Sequence, residues 1–290
     1  MQATESPNKL AIKKPALATT YEAADPLLLD RVLPVIGCLE VTPDSLAEMT
    51  GDNPYYPESR LLELEHIAQS RDILVHGVGL SIGSYGGVSE TYLRMLDQLL
   101  ERVPVRWHSE HLGYVRINGQ HLGTMLALPK TKEMLDIICE RVRMLQDRYQ
   151  VPFLLENVAH PLPDYPGDYS EAAFLNELTR RTGCGLILDI YNLECDAHNH
   201  SFQIDPFLAE LDLEPVRELH LAGGVIHRGF KLDVHSRAVA DSTIALARRV
   251  LEHAPHVEAV TYELLAEAIH KLGSEAIGQE LERLAQALWN

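Results

Sequence analysis

The chain has few of the residues that mark secreted, membrane-embedded or disulfide-stabilised proteins. It contains only four cysteines among 290 residues, at positions 38, 139, 184 and 195, and no C-x-x-C pair. Neither a thiolate zinc site nor a disulfide framework is therefore expected. No run of about 18 apolar residues occurs, and no apolar stretch with a cleavage site stands at the amino terminus. We expect a reduced, cytoplasmic protein without a membrane partner.

Basic residues are also scarce relative to acids. Lys and Arg total 25 against 42 Asp and Glu, which gives a formal charge of −17. A surface this negative repels phosphate backbones, so nucleic acid is not an expected partner. The 46% hydrophobic content is that of a soluble globular protein and excludes a disordered or fibrous chain. The 14 His that accompany the acids leave open that some acids bind metal rather than face solvent.

Short apolar runs alternate with helical patterns along most of the chain. Near-continuous apolar runs of this length are typical of strands in a parallel sheet, which is buried on both faces. Thr131 and Ser170 are predicted to cap helices, and Gly183 to end one. The predicted strands lie within 9–14, 35–41, 72–80, 104–112, 151–158, 184–192, 216–223 and 258–265. The predicted helices lie within 57–70, 89–102, 131–149, 170–182, 242–253 and 274–289.

Two α/β architectures fit this alternation: a closed (β/α)8 barrel and an open doubly wound sheet. Dinucleotide-binding open sheets usually carry G-x-G-x-x-G after the first strand, but the nearest match, Gly77-x-Gly79-x-x-x-Gly83, has the wrong spacing. The chain also lacks a G-x-S-x-G motif and a Walker lysine motif. We therefore predict a TIM-type barrel as one catalytic domain over residues 10–290, preceded by a disordered tail at 1–9.

Most of the predicted strands end in a His, Asp or Glu. The carboxyl ends of barrel strands meet at one mouth, where active sites form, so these residues should converge. One such residue is more often structural than a ligand, but several acids buried together without a cation would be costly. Imidazoles with carboxylates suit Fe, Mn, Zn or Co, and their number suggests two or three ions. The residues are His76, His108, Glu110, His111, Glu156, Asp189, His220, Asp233, His235 and Glu263.

Some of these positions have alternative interpretations. In an extended segment Asp233 and His235 would face the same side and reach one ion, but a loop Asp hydrogen-bonded to a nearby His fits equally. Glu110 and His111 would point in opposite directions, so only one of them is expected to be a ligand. Ser81 lies in a Gly-rich loop and His198 in a predicted loop after Asp189, where each either contacts substrate or belongs to a solvated turn.

Several segments, in order from about residue 35 to residue 265, resemble the DUF692 family, the multinuclear non-heme iron-dependent oxidative enzymes. The resemblance implies a barrel with two or three irons, Fe(II) or Fe(III), that uses O2 to oxidise ribosomally made precursor peptides, often at Cys or at C-terminal residues. It also implies a partner protein that binds the leader peptide. The matching segments are HGVGLSIGS (76–84), SEHL (109–112), LLEN (154–157), RTGCGLILDIYN (181–192), the His198–Asp205 stretch and ELHLAG (218–223).

The resemblance also implies roles for individual residues. Gly224 stands where the family often has a second His, for which His227 either compensates or does not, and Tyr191 stands where the family often has Asn. The comparison implies that one metal position is altered or empty. Two other functions stay open: a xylose-isomerase-like divalent-metal isomerase or hydrolase, and a non-catalytic scaffold subunit that has lost a ligand. The implied iron ligands are His76, His111, Glu156, Asp189, His220, Asp233, His235 and Glu263, with Glu110, Asn157, Asn192, His198 and Ser81 close to the ligands or the substrate.

Overall fold

The computed structural model describes residues 14–23, 26–117, 119–163 and 166–289. Eight parallel strands in this part of the chain pair in sequence order, and the last pairs with the first to close a barrel. The predicted (β/α)8 architecture is therefore confirmed. The strands are β1 (Ala16–Tyr21), β2 (Cys38–Val41), β3 (Asp72–Gly77), β4 (Trp107–His111), β5 (Phe153–Glu156), β6 (Gly185–Asp189), β7 (Val216–Leu221) and β8 (Ala259–Tyr262).

Helices surround the barrel, and three β-hairpins extend its mouth. The hairpins follow β2, β4 and β7, and pair Glu48–Thr50 with Asn53–Tyr55, Gly113–Ile117 with Gln120–Ala127, and Val225–His227 with Phe230–Leu232. No helix within the described residues is both long and apolar enough to cross a membrane. The helices are α1 (Pro26–Val32), α2 (Pro43–Leu46), α3 (Glu58–Ile67), α4 (Glu90–Arg102), α5 (Lys132–Arg148), α6 (Glu171–Thr182), α7 (Ile190–His200), α8 (Ile204–Glu210), α9 (Asp241–Leu251), α10 (Ala266–Leu272) and α11 (Ser274–Trp289).

The first strand differs from the prediction. The first described barrel strand is Ala16–Tyr21, which begins after the run predicted at 9–14; residues 9–13 and the predicted tail at 1–9 lie outside the described residues. This strand is buried although it contains two threonines, because its hydroxyl groups bond within the barrel. Thr19 Oγ1, for example, donates to the carbonyl oxygen of Tyr262 at 2.8 Å. Because the segment Ala16–Tyr21 is only modestly hydrophobic, the sequence pattern did not predict it as a strand.

The predicted helix caps are present. Thr131 Oγ1 accepts a hydrogen bond from the Met134 amide at 3.2 Å, Ser170 caps α6 in the same way, and Gly183 ends α6 with a φ of 71°. The strand prediction for 190–192 is wrong, because Asp189 Oδ1 accepts from the Asn192 amide at 2.6 Å and starts α7 directly after β6. His198, predicted to lie in a loop, therefore lies in the last turn of α7.

The interior of the barrel has two levels. Side chains alternate in and out along each strand, so every second residue points inward. We call the apolar cluster toward the amino ends of the strands the lower level: Ala18, Cys38, Leu74, Trp107, Leu154, Ile187 and Ala259. The inward positions two residues further along form the upper level, which is polar and equally buried: Thr20, Glu40, His76, Ser109, Glu156, Asp189, His220 and Thr261.

Candidate metal centre

Glu156 lies at the centre of the polar cluster. Its Oε2 atom is 3.0 Å from His76 Nε2 and 3.3 Å from His111 Nε2, whereas its Oε1 atom is 3.1 Å from His220 Nδ1. These imidazoles come from β3, β4 and β7, and Glu156 ends β5. The predicted convergence of residues distant in sequence at the mouth of the barrel is thus seen for this group.

Potential ligand atoms gather in overlapping sets, each within 4.8 Å of one another. Set one contains His76, His111 and Glu156. Set two contains Glu156, Asp189, His220 and Glu263. Since Glu156 belongs to both sets and has two oxygens, the arrangement matches two neighbouring ions that share one carboxylate. A further combination of Glu40, His76 and His220 overlaps with both sets.

Several ligand atoms of these sets are buried without hydrogen-bond partners, although His220 Nδ1 and Glu263 Oε2 bond to each other at 3.0 Å. Among the described residues, His76 Nε2, both Glu156 oxygens and Asp189 Oδ2 form no hydrogen bond, although nitrogen and oxygen atoms approach within about 3 Å of each other. Burying polar atoms in this way costs about 1–3 kcal/mol each. A cation would satisfy them, and imidazoles with carboxylates are suitable ligands for iron and similar metals. The residues present therefore fit a metal ion.

Hydrogen bonds on the far side of the imidazoles determine which nitrogen faces the cluster. Ser109 Oγ donates to the carbonyl oxygen of Val75 at 2.9 Å, so it is free to accept from His76 Nδ1, also at 2.9 Å. His111 Nδ1 donates to the carbonyl oxygen of Gly77 at 3.0 Å. In their neutral form both rings would then present an unprotonated Nε2 toward Glu156, as metal-binding histidines do.

The cluster is electrostatically coupled. Burial alone would raise the pKa of Glu156, but the neighbouring imidazoles, above all His111, hold its pKa well below the usual range. Burial would lower the pKa of His111, whereas the carboxylates of Glu156 and Glu110 raise it to about 10. Burial also raises the pKa of Asp189 well above its usual value, and Glu156 adds to the effect. Protons thus balance the buried acids, and a metal ion would displace them.

Asp233 and His235 contact each other beside set two. Asp233 Oδ1 is 2.5 Å from His235 Nε2, and His235 Nδ1 is 3.2 Å from Glu263 Oε2. The segment is not extended as expected, because His235 has a φ of 32°, in the left-handed region. In the described part of the chain, neither residue belongs to a convergent set of three ligands.

Three other predicted residues support the ligands. Asn157 accepts from the Asp189 amide at 2.8 Å and donates to the Asp189 carbonyl oxygen at 3.1 Å. Asn192 Nδ2 donates to the Asn157 carbonyl oxygen at 3.1 Å. Glu110 accepts from the amides of Leu80 and His111 at 2.9 and 3.0 Å. These bonds hold Asp189 and His111 in place.

The structure does not bring Ser81 or His198 into either ligand set. Ser81 Oγ is 2.7 Å from Ser84 Oγ and accepts from the Val115 amide at 2.8 Å, which ties its loop to the hairpin after β4. His198 Nε2 is 3.0 Å from the carbonyl oxygen of Gly229 in the hairpin after β7. Both residues therefore connect segments around the mouth.

Two buried residues point in directions that the sequence did not predict. Glu40, which the sequence analysis missed, has Oε2 3.2 Å from His220 Nε2. It precedes the last residue of β2, and its inward position could have been found from its spacing to buried Cys38. His108 points outward instead and packs against the rings of Tyr149 and Phe153, with centroids at 5.2 and 4.7 Å. Burial lowers the pKa of His108 to about 3.

A cavity of about 330 Å³ adjoins the ligands. Polar residues such as His111, Asp233 and Lys231 line it together with apolar residues such as Met125 and Phe230. Larger cavities of about 800 and 1060 Å³ lie elsewhere and are lined by no member of set one or set two. Of these three cavities, the one of about 330 Å³ therefore lies beside the ligand sets.

Known proteins resemble this chain in sequence. A family model described as "RiPP precursor modification enzyme MbnB/TglH/ChrH" matches residues 22–282. A UPF0276 protein of Caulobacter vibrioides is 33% identical over 218 residues, which cover 75% of each chain. A UPF0276 protein of Vibrio vulnificus is 32% identical over 252 residues, covering 85% of this chain and 87% of its own.

Solved structures share the barrel at low sequence identity. D-psicose 3-epimerase from Clostridium cellulolyticum H10, solved with D-tagatose, is 15% identical with a TM-score of 0.57, covering 94% of this chain and 96% of its own. An L-ribulose 3-epimerase is 12% identical with a TM-score of 0.58, covering 95% of each chain. At such identities the likeness concerns the fold alone.

Proposed function

The chain belongs to the MbnB/TglH/ChrH family of RiPP precursor modification enzymes, and on this basis we propose that it is an iron-dependent oxidase of a ribosomally made precursor peptide. O2 is the co-substrate, and the modified residue is a Cys or lies near the C-terminus of the peptide. The observation that carries the proposal is the pair of buried ligand sets that share Glu156.

The residues of the barrel would bind and orient the irons. Set one would hold one ion and set two the other, while Ser109 and the Gly77 carbonyl keep Nε2 of His76 and His111 directed at the centre. Asn157 holds the backbone of Asp189. When bound, the irons supply the redox chemistry with O2 that side chains cannot.

The cavity beside the ligands supports a peptide substrate. At about 330 Å³ it lies in the size range of small-molecule sites, and its lining combines His111 and Asp233 with apolar side chains. Exposed apolar residues on the loops around the mouth, including Leu122, Leu162 and Ile226, support contact with further peptide or with a leader-binding partner protein.

The proposal includes a reduced, cytoplasmic setting and a single catalytic domain over residues 10–290. Cys38, Cys139, Cys184 and Cys195 are all buried free thiols, as expected of a protein that folds without disulfides. The barrel uses strands from Ala16 to Tyr262, so its ligands depend on nearly the whole chain.

Iron content is the first test. Anaerobically purified protein should contain about two irons per chain, and His76→Ala and Glu156→Ala should each lower that number. His253→Ala, an exposed imidazole at the end of α9, is the matched control and should leave it unchanged. Full iron content in both ligand variants would show that the assignment is wrong.

Activity then separates oxidation from the other two functions. Wild-type protein should consume O2 when supplied with the precursor peptide encoded beside its gene and with any leader-binding partner encoded there. Turnover of a substrate under strict anaerobiosis with a divalent metal would instead indicate an isomerase or hydrolase. Less than one iron per chain in folded protein would indicate a scaffold subunit.

A further inference from the structure

Gly224 occupies a position where no side chain fits. It follows His220 by four residues, just beyond the end of β7 at the mouth of the barrel. A Cβ atom at this position would lie 2.4 Å from the hydroxyl oxygen of Tyr191 and 2.4 Å from the carbonyl oxygen of Leu232. Both distances are far below van der Waals contact. The segment after β7 therefore cannot direct a ligand toward the metal centre from this residue.

Tyr191 is held in this space by several contacts. Its hydroxyl group lies 3.3 Å from the Leu232 carbonyl oxygen, and the Lys231 ammonium lies 4.5 Å from the centroid of its ring. Lys231 is itself fixed by Glu194 at 2.6 Å. The edge of the Tyr191 ring faces the ring of His235 at a centroid distance of 6.3 Å. The side chain is buried and fills the gap between α7 and the hairpin after β7.

The pair next to Tyr191 lacks the partners that a third ion would need. Asp233 and His235 contact each other, and His235 also lies 3.2 Å from Glu263 and 4.0 Å from Asp189, both of which belong to set two. Within the described residues, no third ligand converges with both members of the pair. Three protein ligands or more are usual for such metals, so the geometry disfavours a further cation here.

We propose that the centre is binuclear and that Tyr191 and the Leu232 carbonyl fill the space beside Gly224, so that residue 224 supplies no ligand for a third ion. Asp233 and His235 then act as positioning residues, because His235 holds Glu263 through Nδ1. This inference rests on the proposed function only in that the two ligand sets bind metal; it does not depend on the peptide or on O2.

The test is a count of bound iron under anaerobic conditions. Wild-type protein titrated with Fe(II) should saturate at about two equivalents per chain. Asp233→Ala should also saturate at about two, because the proposal gives Asp233 no role as a ligand. Tyr191→Ala adds no ligand and should stay at two, as should the control Tyr191→Phe, which keeps the ring.

Two results would overturn the inference. One is a wild-type stoichiometry of three that falls to two in Asp233→Ala. The other is a wild-type stoichiometry of two that falls in folded Asp233→Ala, which would make Asp233 a ligand of one of the two ions. Two irons without peptide oxidation would contradict the proposed function alone, whereas a chain that binds no iron would contradict both.

Discussion

The lower and upper levels of the barrel are built by the same strands but differ in chemistry. The lower level is apolar except at Glu218 on β7, which accepts from Trp107 Nε1 at 3.0 Å, whereas the upper level is polar. On β5, Leu154 and Glu156 are two residues apart, point the same way and are both almost completely buried. Leu154 belongs to the apolar cluster with Trp107 and Ile187, whereas Glu156 faces three imidazoles. Equal burial therefore serves two purposes. The lower level stabilises the fold, and the upper level holds polar atoms that need a cation.

This division means that stability and metal binding should respond to different substitutions. Apolar side chains in the lower level contribute through area removed from water and close packing. The acids and imidazoles of the upper level reduce stability unless they are paired, as polar groups at functional sites commonly do. Variants on a single strand can therefore separate the two contributions.

The largest effect on stability is expected for Leu154→Ala. Removing a buried leucine side chain leaves a cavity and should lower the free energy of unfolding by about 2–5 kcal/mol. The iron content of the folded fraction should stay at about two. Chemical denaturation measures the loss, and Leu62→Ala, at an exposed position on α3, should change stability by less than about 0.5 kcal/mol. Loss of iron in folded Leu154→Ala would contradict the separation of levels.

Metal removal should have the next largest effect on stability, and this effect should depend on the residues of the two ligand sets. An ion that binds only folded protein stabilises it by about 2.7 kcal/mol when its free concentration is 100 times its dissociation constant. A chelator should therefore lower the melting temperature of the wild type and of Leu154→Ala to similar extents. It should lower the melting temperature of Glu156→Ala by less, because both ligand sets have lost the carboxylate that they share. Equal chelator sensitivity in Glu156→Ala would mean that the stabilising ion binds elsewhere.

The sequence predicted those parts of the fold in which burial leaves a strong apolar signal. The run at 72–80 contains β3 and ends its apolar stretch at His76, and the run at 151–158 contains β5 and Glu156. Because carboxyl ends of barrel strands share one mouth, their polar end residues could be placed together without knowing any distance. This reasoning predicted that Glu156, which both ligand sets share, lies close to the imidazoles.

The remainder depended on information that a single sequence does not carry. Both faces of a barrel strand are buried, so hydrophobicity does not show which residues point inward. For this reason the sequence did not reveal that His108 points outward and Glu40 inward, although each lies in a predicted strand. The immediate start of α7 depends on the capping bond from the Asn192 amide to Asp189, and the fit of Tyr191 against Gly224 depends on tertiary contacts.

The smallest predicted effect on stability concerns His108, which lies on the outer face of β4, whereas the ligands lie on the inner face. Its pKa is lowered to about 3 by burial, whereas an unfolded histidine has a pKa near 6.5. The unfolded chain therefore takes up the proton first, so this contribution to stability is complete above about pH 6.5 and is lost as the pH falls toward 3, by about 1.4 kcal/mol per pH unit. In chelator, wild type should lose about 1 kcal/mol more than His108→Phe between pH 7 and pH 5.5 in denaturation experiments. Parallel pH profiles would mean that His108 is protonated within the fold, and that its burial between Tyr149 and Phe153 does not keep it neutral.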